Sequence, residues 1–105
     1  MNFLLQLFGR GVHRLRDAIQ RGAIVIDVRN PHSFDMARIP GSQNIPLERL
    51  RVSLDRIRGI KKPVIICGDG RDPAAAVRFL RENGIEDVFD GGNWQYLIRQ
   101  IRGFR

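Results

Sequence analysis

The apolar residues of this 105-residue chain follow two kinds of pattern. Short continuous apolar runs, rich in β-branched residues, predict strands that are buried on both faces of a sheet. They lie at 23–28 and 62–67, and shorter strands are predicted at 43–45, within a loop, and at 86–90. Longer segments carry apolar residues at helical spacing. They lie at 11–22, 47–57, 72–84 and 91–101, with one or two helical turns at 32–38. Alternating strands and helices predict an α/β fold with a parallel sheet and helices on both faces.

No linker or repeat interrupts this alternation, so we expect one domain over residues 1–105, with residues 1–10 as a short apolar N-terminal extension. The apolar part of the extension is too short for a signal peptide, and no charged region precedes it. We interpret it as a segment that packs on the domain, with a peripheral anchor as the alternative. No apolar run approaches the roughly 20 residues of a membrane span.

Charge narrows the choice of partners. The chain has 18 basic and 11 acidic residues, a net charge of +7, which favours anionic partners. A nucleic acid is not favoured, because no aromatic residues are interleaved with the basic ones. The single cysteine, Cys67, cannot form an internal disulfide, so we expect a cytoplasmic protein. His13 and His32 have no metal-ligand spacing with Cys67, and we expect neither a metal nor a cofactor.

The stretch "VIICGDGRDPAAAV" (64–77) places Cys67 at the end of a strand and just before a helix. Ligands of parallel sheets bind at the carboxyl ends of strands. Gly68 and Gly70 allow a tight turn whose backbone N–H groups, together with the helix start, can surround an anion. These surroundings predict a lowered thiol pKa and a nucleophilic thiolate. The alternative is an inert thiol in the core.

The helix after this turn has recognisable ends. Asp72 is a good N-cap residue, and Pro73 suits the first helical position. Gly84 suits the C-terminal cap.

Two longer stretches, "IDVRNPHSFDMARIPGSQNIPL" and "VIICGDGRDPAAAVRFLRENGIEDVFDGGNWQYL", resemble the two halves of rhodanese-like sulfurtransferase domains. The resemblance covers roughly residues 11 to 100 and implies a parallel sheet of about five strands. It also implies that Cys67 accepts a sulfane sulfur as a persulfide. The donor would be a small anion or a protein-borne sulfur, and the acceptor a thiol or a cyanide-like nucleophile.

The resemblance is weakest at the loop. Arg71 stands one place earlier than the family's usual arginine, and Asp72 and Pro73 replace residues that usually include a small hydroxyl side chain. The resemblance implies a substrate-binding set, which comprises Gly68, Asp69, Gly70, Arg71, Asp72 and Arg29. Arg71 either folds over the sulfur or pairs with Asp69 or Asp72. Arg29 is either free for an anion or pairs with Asp35.

The acidic residues of the loop, Asp69 and Asp72, predict poor use of thiosulfate, a doubly charged anion. They also favour an alternative function, a rhodanese-like binding or regulatory domain without efficient turnover. A phosphatase is not favoured, because Pro73 occupies the position six residues after Cys67 where that chemistry needs an arginine. We interpret Trp94 as a packing residue under the last helix, with Tyr96 in the place where the family usually has tryptophan.

Overall fold

The computed structural model describes residues 14–103. Within this range the sheet has four strands, all parallel, in the order β2-β1-β3-β4. The strands are β1 (Ile24–Asp27), β2 (Gln43–Asn44), β3 (Val64–Gly68) and β4 (Val88–Asn93). The predicted parallel α/β fold is confirmed, with one strand fewer among these residues than the five expected. Residues 1–10 and His13, about which we made predictions, lie outside the described range.

Helices cover both faces of the sheet. They are α1 (14–20), α2 (Pro31–Met36), α3 (Leu54–Arg58), α4 (Asp72–Glu82) and α5 (Trp94–Gly103). Helices α3 and α4 bury Ile57 and Leu80 against one face. Helices α1 and α5 bury Ala18 and Leu97 against the other, and this second core contains Cys67. No helix in the described part of the chain is long and apolar enough to cross a membrane.

The predicted helix over 47–57 is broken. Two 3₁₀ turns, Leu47–Arg49 and Arg51–Ser53, precede the short α3. The hydroxyl of Ser53 donates to the carbonyl of Arg49, the group that the backbone N–H of Ser53 would use in an α-helix. That N–H instead donates to the carbonyl of Leu50. A serine side chain that competes with the backbone in this way favours the tighter turn.

The start of α4 also differs from the prediction. Asp72 is the first helical residue and Pro73 the second, while Arg71 holds the N-cap position without a side-chain hydrogen bond. Arg71 already has helical-region dihedrals, so the turn tightens one residue earlier than expected. Asp72 is therefore not the cap. Its carboxylate lies in the first turn, where it interacts with the helix dipole only.

Strand β4 is longer than predicted because it continues through Gly91 and Gly92. The ladder with β3 shifts between Ile66 and Cys67, so that Cys67 pairs with Gly92 and Gly91 is the extra residue. A Cβ atom on Gly91 would lie 2.7 Å from Cγ2 of Ile65 and 2.9 Å from Cδ2 of Leu97. The register shift makes Gly91 the extra residue of a β-bulge, not part of a turn. Only glycine fits the close approach at this position.

Candidate active site around Cys67

Cys67 lies near the carboxyl end of β3, between two neighbouring strands. It pairs with Asp27 of β1 on one side and with Gly92 of β4 on the other. Its backbone carbonyl accepts a hydrogen bond from the N–H of Val28. The residue is 0% exposed and packs in the core on the α1 and α5 face. The predicted position at a strand end is thus correct, but the thiol is covered.

The loop between β3 and α4 consists of residues 69–71. Gly70 has φ +53°, so the turn uses the left-handed region that glycine tolerates. The N–H of Asp72 donates to the carbonyl of Asp69 and closes the turn. Because this amide is bonded inside the loop, it is not free to donate to a sulfur anion.

The charged side chains of this loop are exposed. Within residues 14–103, Arg71 makes no ion pair with Asp69 or Asp72. The alternative in which Arg71 pairs with a neighbouring aspartate is therefore wrong for this conformation. Gly68, in contrast, is buried at the end of β3, where an added Cβ would lie 3.0 Å from Cγ2 of Val28.

The thiol is not activated by its surroundings. The pKa of Cys67 is raised to about 12, chiefly by burial and then by the carboxylate of Asp27; Arg29 opposes the shift and Asp69 adds to it. The prediction of a lowered pKa is therefore wrong for this conformation. Removal of the thiol from water disfavours the thiolate more strongly than the turn and the helix start can favour it.

Arg29 pairs with Asp27, a partner that neither of the two expected alternatives included. Its Nε lies 3.0 Å from Oδ2 of Asp27, and its Nη2 lies 2.8 Å from the same oxygen and 2.6 Å from the carbonyl oxygen of Ala37. The arginine is 7% exposed and the aspartate 0%. Asp35, its predicted alternative partner, pairs with Arg38 at 3.9 Å. Arg29 thus ties the segment after α2 to the end of β1.

A second contact of Arg29 was not predicted. Its guanidinium carbon lies 4.4 Å from the centroid of the Trp94 ring, a cation–π stack. Trp94 follows β4 directly and packs against the same core as Cys67. The contact joins residues far apart in sequence, so periodicity could not reveal it. The only available signal was an aromatic residue just after a Gly-Gly pair at a strand end.

The other chemical features lie away from Cys67. A cleft of about 500 Å³ is lined mainly by apolar residues, which include Ile24, Ile98 and Ile101, and Cys67 is not among its lining residues. Among residues 14–103 no three metal-ligating side chains come together. His32 is exposed at the start of α2.

Comparison with known proteins agrees with this geometry. A family model described as "Rhodanese-like domain" matches residues 11–93, which is most of the chain. The chain therefore belongs to the rhodanese-like domain family.

Individual relatives show how far this likeness extends. The chain is 31% identical to thiosulfate sulfurtransferase GlpE of Pseudomonas fluorescens, over 70% of this chain and 69% of that one. It is 35% identical to adenylyltransferase and sulfurtransferase MOCS3-2 of Zea mays, over 64% of this chain but only 15% of the relative. A rhodanese-related protein from Thermoplasma volcanium superposes with a TM-score of 0.65 at 29% identity, over 85% of this chain and 88% of that one.

Proposed function

We propose that this chain is a sulfurtransferase that carries a sulfane sulfur as a persulfide on Cys67. The observation that carries the proposal is the position of the single cysteine. It lies at the carboxyl end of β3, beside the glycine turn 68–71 and the start of α4, in a chain of the rhodanese-like family. The relatives named as sulfurtransferases support the reaction class.

The proposed transfer has two balanced steps. The Cys67 thiolate attacks the outer sulfur of a donor R–S–S⁻, the donor S–S bond breaks, and R–S⁻ leaves with the bonding pair. An acceptor nucleophile, such as a thiolate or cyanide, then attacks the outer sulfur of the persulfide and displaces the Cys67 thiolate. The proton of the resting thiol passes to water before the first step. No electrons enter or leave overall, so no cofactor is needed.

The loop favours a donor with little charge near the transferred sulfur. Asp69 and Asp72 are exposed on either side of Arg71 and leave residues 69–72 with one net negative charge. This charge repels thiosulfate, although water screens exposed groups strongly. A protein persulfide group carries one negative charge, against the two of thiosulfate.

A second candidate has an observation of its own. Burial of Cys67 and a pKa of about 12 are the properties of an unreactive thiol. They favour a rhodanese-like binding or regulatory domain in which efficient turnover has been lost.

Mass spectrometry after exposure to donors separates the two candidates. The full-length protein is incubated with thiosulfate, with a polysulfide or with a persulfidated small protein, and then freed of excess donor. A gain of one sulfur mass that cyanide removes as thiocyanate supports the sulfurtransferase. Cys67→Ser is the control and should gain nothing. No gain with any donor would contradict the proposal and favour the binding domain.

A further inference from the structure

A thiol that is 0% exposed cannot meet a donor without a movement of its surroundings. Strand β3 is internal, so neighbouring strands flank the backbone of Cys67, and its side chain is covered by the core on the α1 and α5 face. The nearest edge of the sheet is the carboxyl end, one residue beyond Cys67, where the ends of β1 and β4 flank the end of β3. The side chains that meet across this end therefore decide whether the thiol can be reached.

The Arg29–Trp94 stack crosses this position. Arg29 lies two residues after Asp27, the partner of Cys67 in β1, and therefore on the same face of the sheet. Trp94 lies directly after Asn93, the partner of Gly68 in β4. Because β3 lies between β1 and β4, the 4.4 Å contact between the two side chains bridges the end of the strand that carries Cys67.

The two halves of this bridge are held differently. Arg29 is fixed by the buried carboxylate of Asp27 and by two backbone carbonyls, that of Ser33 in α2 and that of Ala37 just after it. Trp94 is half-buried, and its ring is attached at the first residue of α5. The backbone there is firm, because Oδ1 of Asn93 accepts hydrogen bonds from the N–H groups of Gln95 and Tyr96. Rotation of the indole about its side-chain torsions is therefore the movement that opens the bridge.

We propose that Trp94 is the residue that controls access to Cys67, closing the site by stacking on Arg29 and setting the size of the reagent that reaches the sulfur. The inference rests on the proposed function for its biological meaning, but not for its geometry. In the closed form the thiol is dry and protonated. In the open form water reaches it, the pKa falls toward its ordinary value, and the thiolate becomes available.

Alkylation of Cys67 tests the inference directly, since this is the only cysteine in the chain. The folded protein and its Trp94→Ala variant are treated with iodoacetamide and with a bulkier maleimide, and the adduct is followed by mass. We expect the variant to react at least about tenfold faster, because a closed site of this kind is typically open in only about 0.1–10% of molecules. The gain should be larger for the bulkier reagent. Tyr96→Ala, on the exposed side of the same helix, is the matched control and should react like the unaltered protein.

Urea distinguishes local opening at Trp94, here called the gate, from a loosening of the whole fold. Modification through local opening is insensitive to low urea concentrations, whereas modification through global unfolding accelerates with each addition. A fast, urea-insensitive reaction of Trp94→Ala supports the gate, and Trp94→Phe, which retains a stacking ring, should remain slow. Equal rates for the unaltered protein and Trp94→Ala, or an increase seen only with urea, would overturn it.

Sulfur loading separates this inference from the proposed function. If Trp94→Ala alkylates rapidly but no donor adds a sulfur mass, the gate stands and the sulfurtransferase fails. If the unaltered protein loads sulfur readily and Trp94→Ala neither alkylates nor loads faster, the function stands and the gate fails.

Discussion

Neighbouring strands β1 and β3 end beside each other, and their charged residues lie in opposite environments. At the end of β1, Asp27 and Arg29 are buried and joined by short hydrogen bonds, and Arg29 also donates to the carbonyl of Ala37. After β3, Asp69 and Arg71 are exposed and form no ion pair within the described residues. The pair of Asp27 and Arg29 therefore stabilises the fold, whereas the charged side chains of the loop can act on substrates only through weak, screened electrostatic interactions.

The largest effect should come from breaking the buried pair. Arg29→Ala leaves the carboxylate of Asp27 buried without a counter-charge and removes the donors to Ser33 and Ala37. We expect the free energy of unfolding to fall by about 3–5 kcal/mol. Urea titration measures it. The matched control is Arg71→Ala, which should change stability by less than about 0.5 kcal/mol. Similar losses for both arginines would contradict the contrast between the two strand ends.

The pH dependence of stability tests whether the thiol of Cys67, near the end of β3, is as fully removed from water as the side chain of Asp27 at the end of β1. The pKa of Cys67 in the folded protein, about 12, lies above the unfolded value of about 8.5. The folded state therefore holds the proton more tightly, and this stabilisation is complete below about pH 8.5 and lost as the pH rises toward 12. Relative to Cys67→Ala, the unaltered protein should lose up to about 1.4 kcal/mol per pH unit in this window.

Paired urea titrations at several pH values from 8 to 10.5 measure this difference. Both proteins share the same lysines and tyrosine, whose titration cancels in the comparison. A difference that stays constant with pH would mean that water reaches the thiol in the folded state.

Charge reversal in the loop should have a smaller, kinetic effect. Asp69→Lys should raise kcat/KM for thiosulfate about two- to fivefold, since an exposed ion contact is worth at most about 1 kcal/mol. Arg71→Ala should lower it by a similar factor. Steady-state assays with cyanide as acceptor measure both, and the gain should shrink in high salt. An unaltered protein that uses thiosulfate well, with no response to Asp69→Lys, would show that the loop charges do not reach the donor.

The smallest effect concerns two residues at helix starts, Asn30 before α2 and Asp72 in α4. Asn30 is a true N-cap, since its Oδ1 accepts from the N–H of Ser33 at 2.8 Å. Asn30→Ala should cost about 1 kcal/mol. Asp72→Ala removes only a first-turn charge and should cost at most about 0.5 kcal/mol. Urea titration of both variants checks the order, and a larger loss for Asp72→Ala would restore a capping role.

Sequence patterns predicted the strands, their parallel arrangement and the position of Cys67, because burial on both faces leaves a direct mark on composition. They also predicted the end of α4, where Gly84 has φ +82°. They missed the first residue of that helix, because one residue of dihedral change at Arg71 has no sequence signal.

The site was harder to predict because its properties depend on packing. The lowered pKa was inferred from the turn and the helix start, but desolvation depends on what covers the sulfur. The partner of Arg29 depends on which side chains share a face, and its stack on Trp94 depends on strand order. The depth of burial and the strand order cannot be read from residues adjacent in the chain.

The β-bulge in β4 has a consequence for insertions and deletions. Side chains alternate between the faces of a sheet, and Gly91 adds one residue to that alternation just before the strand ends. If the same sequence formed a regular ladder without the bulge, Gly91 would oppose Cys67, and Trp94 would fall on the face that α3 and α4 cover. One further residue inserted between Gly92 and Trp94 would thus move the indole to the wrong side of the sheet, although every strand and helix could still form. Deletion of Gly91 would instead remove the bulge and leave Trp94 on its present face, because Gly92 would still pair with Cys67. The length of β4, as much as its composition, brings the tryptophan to the cysteine.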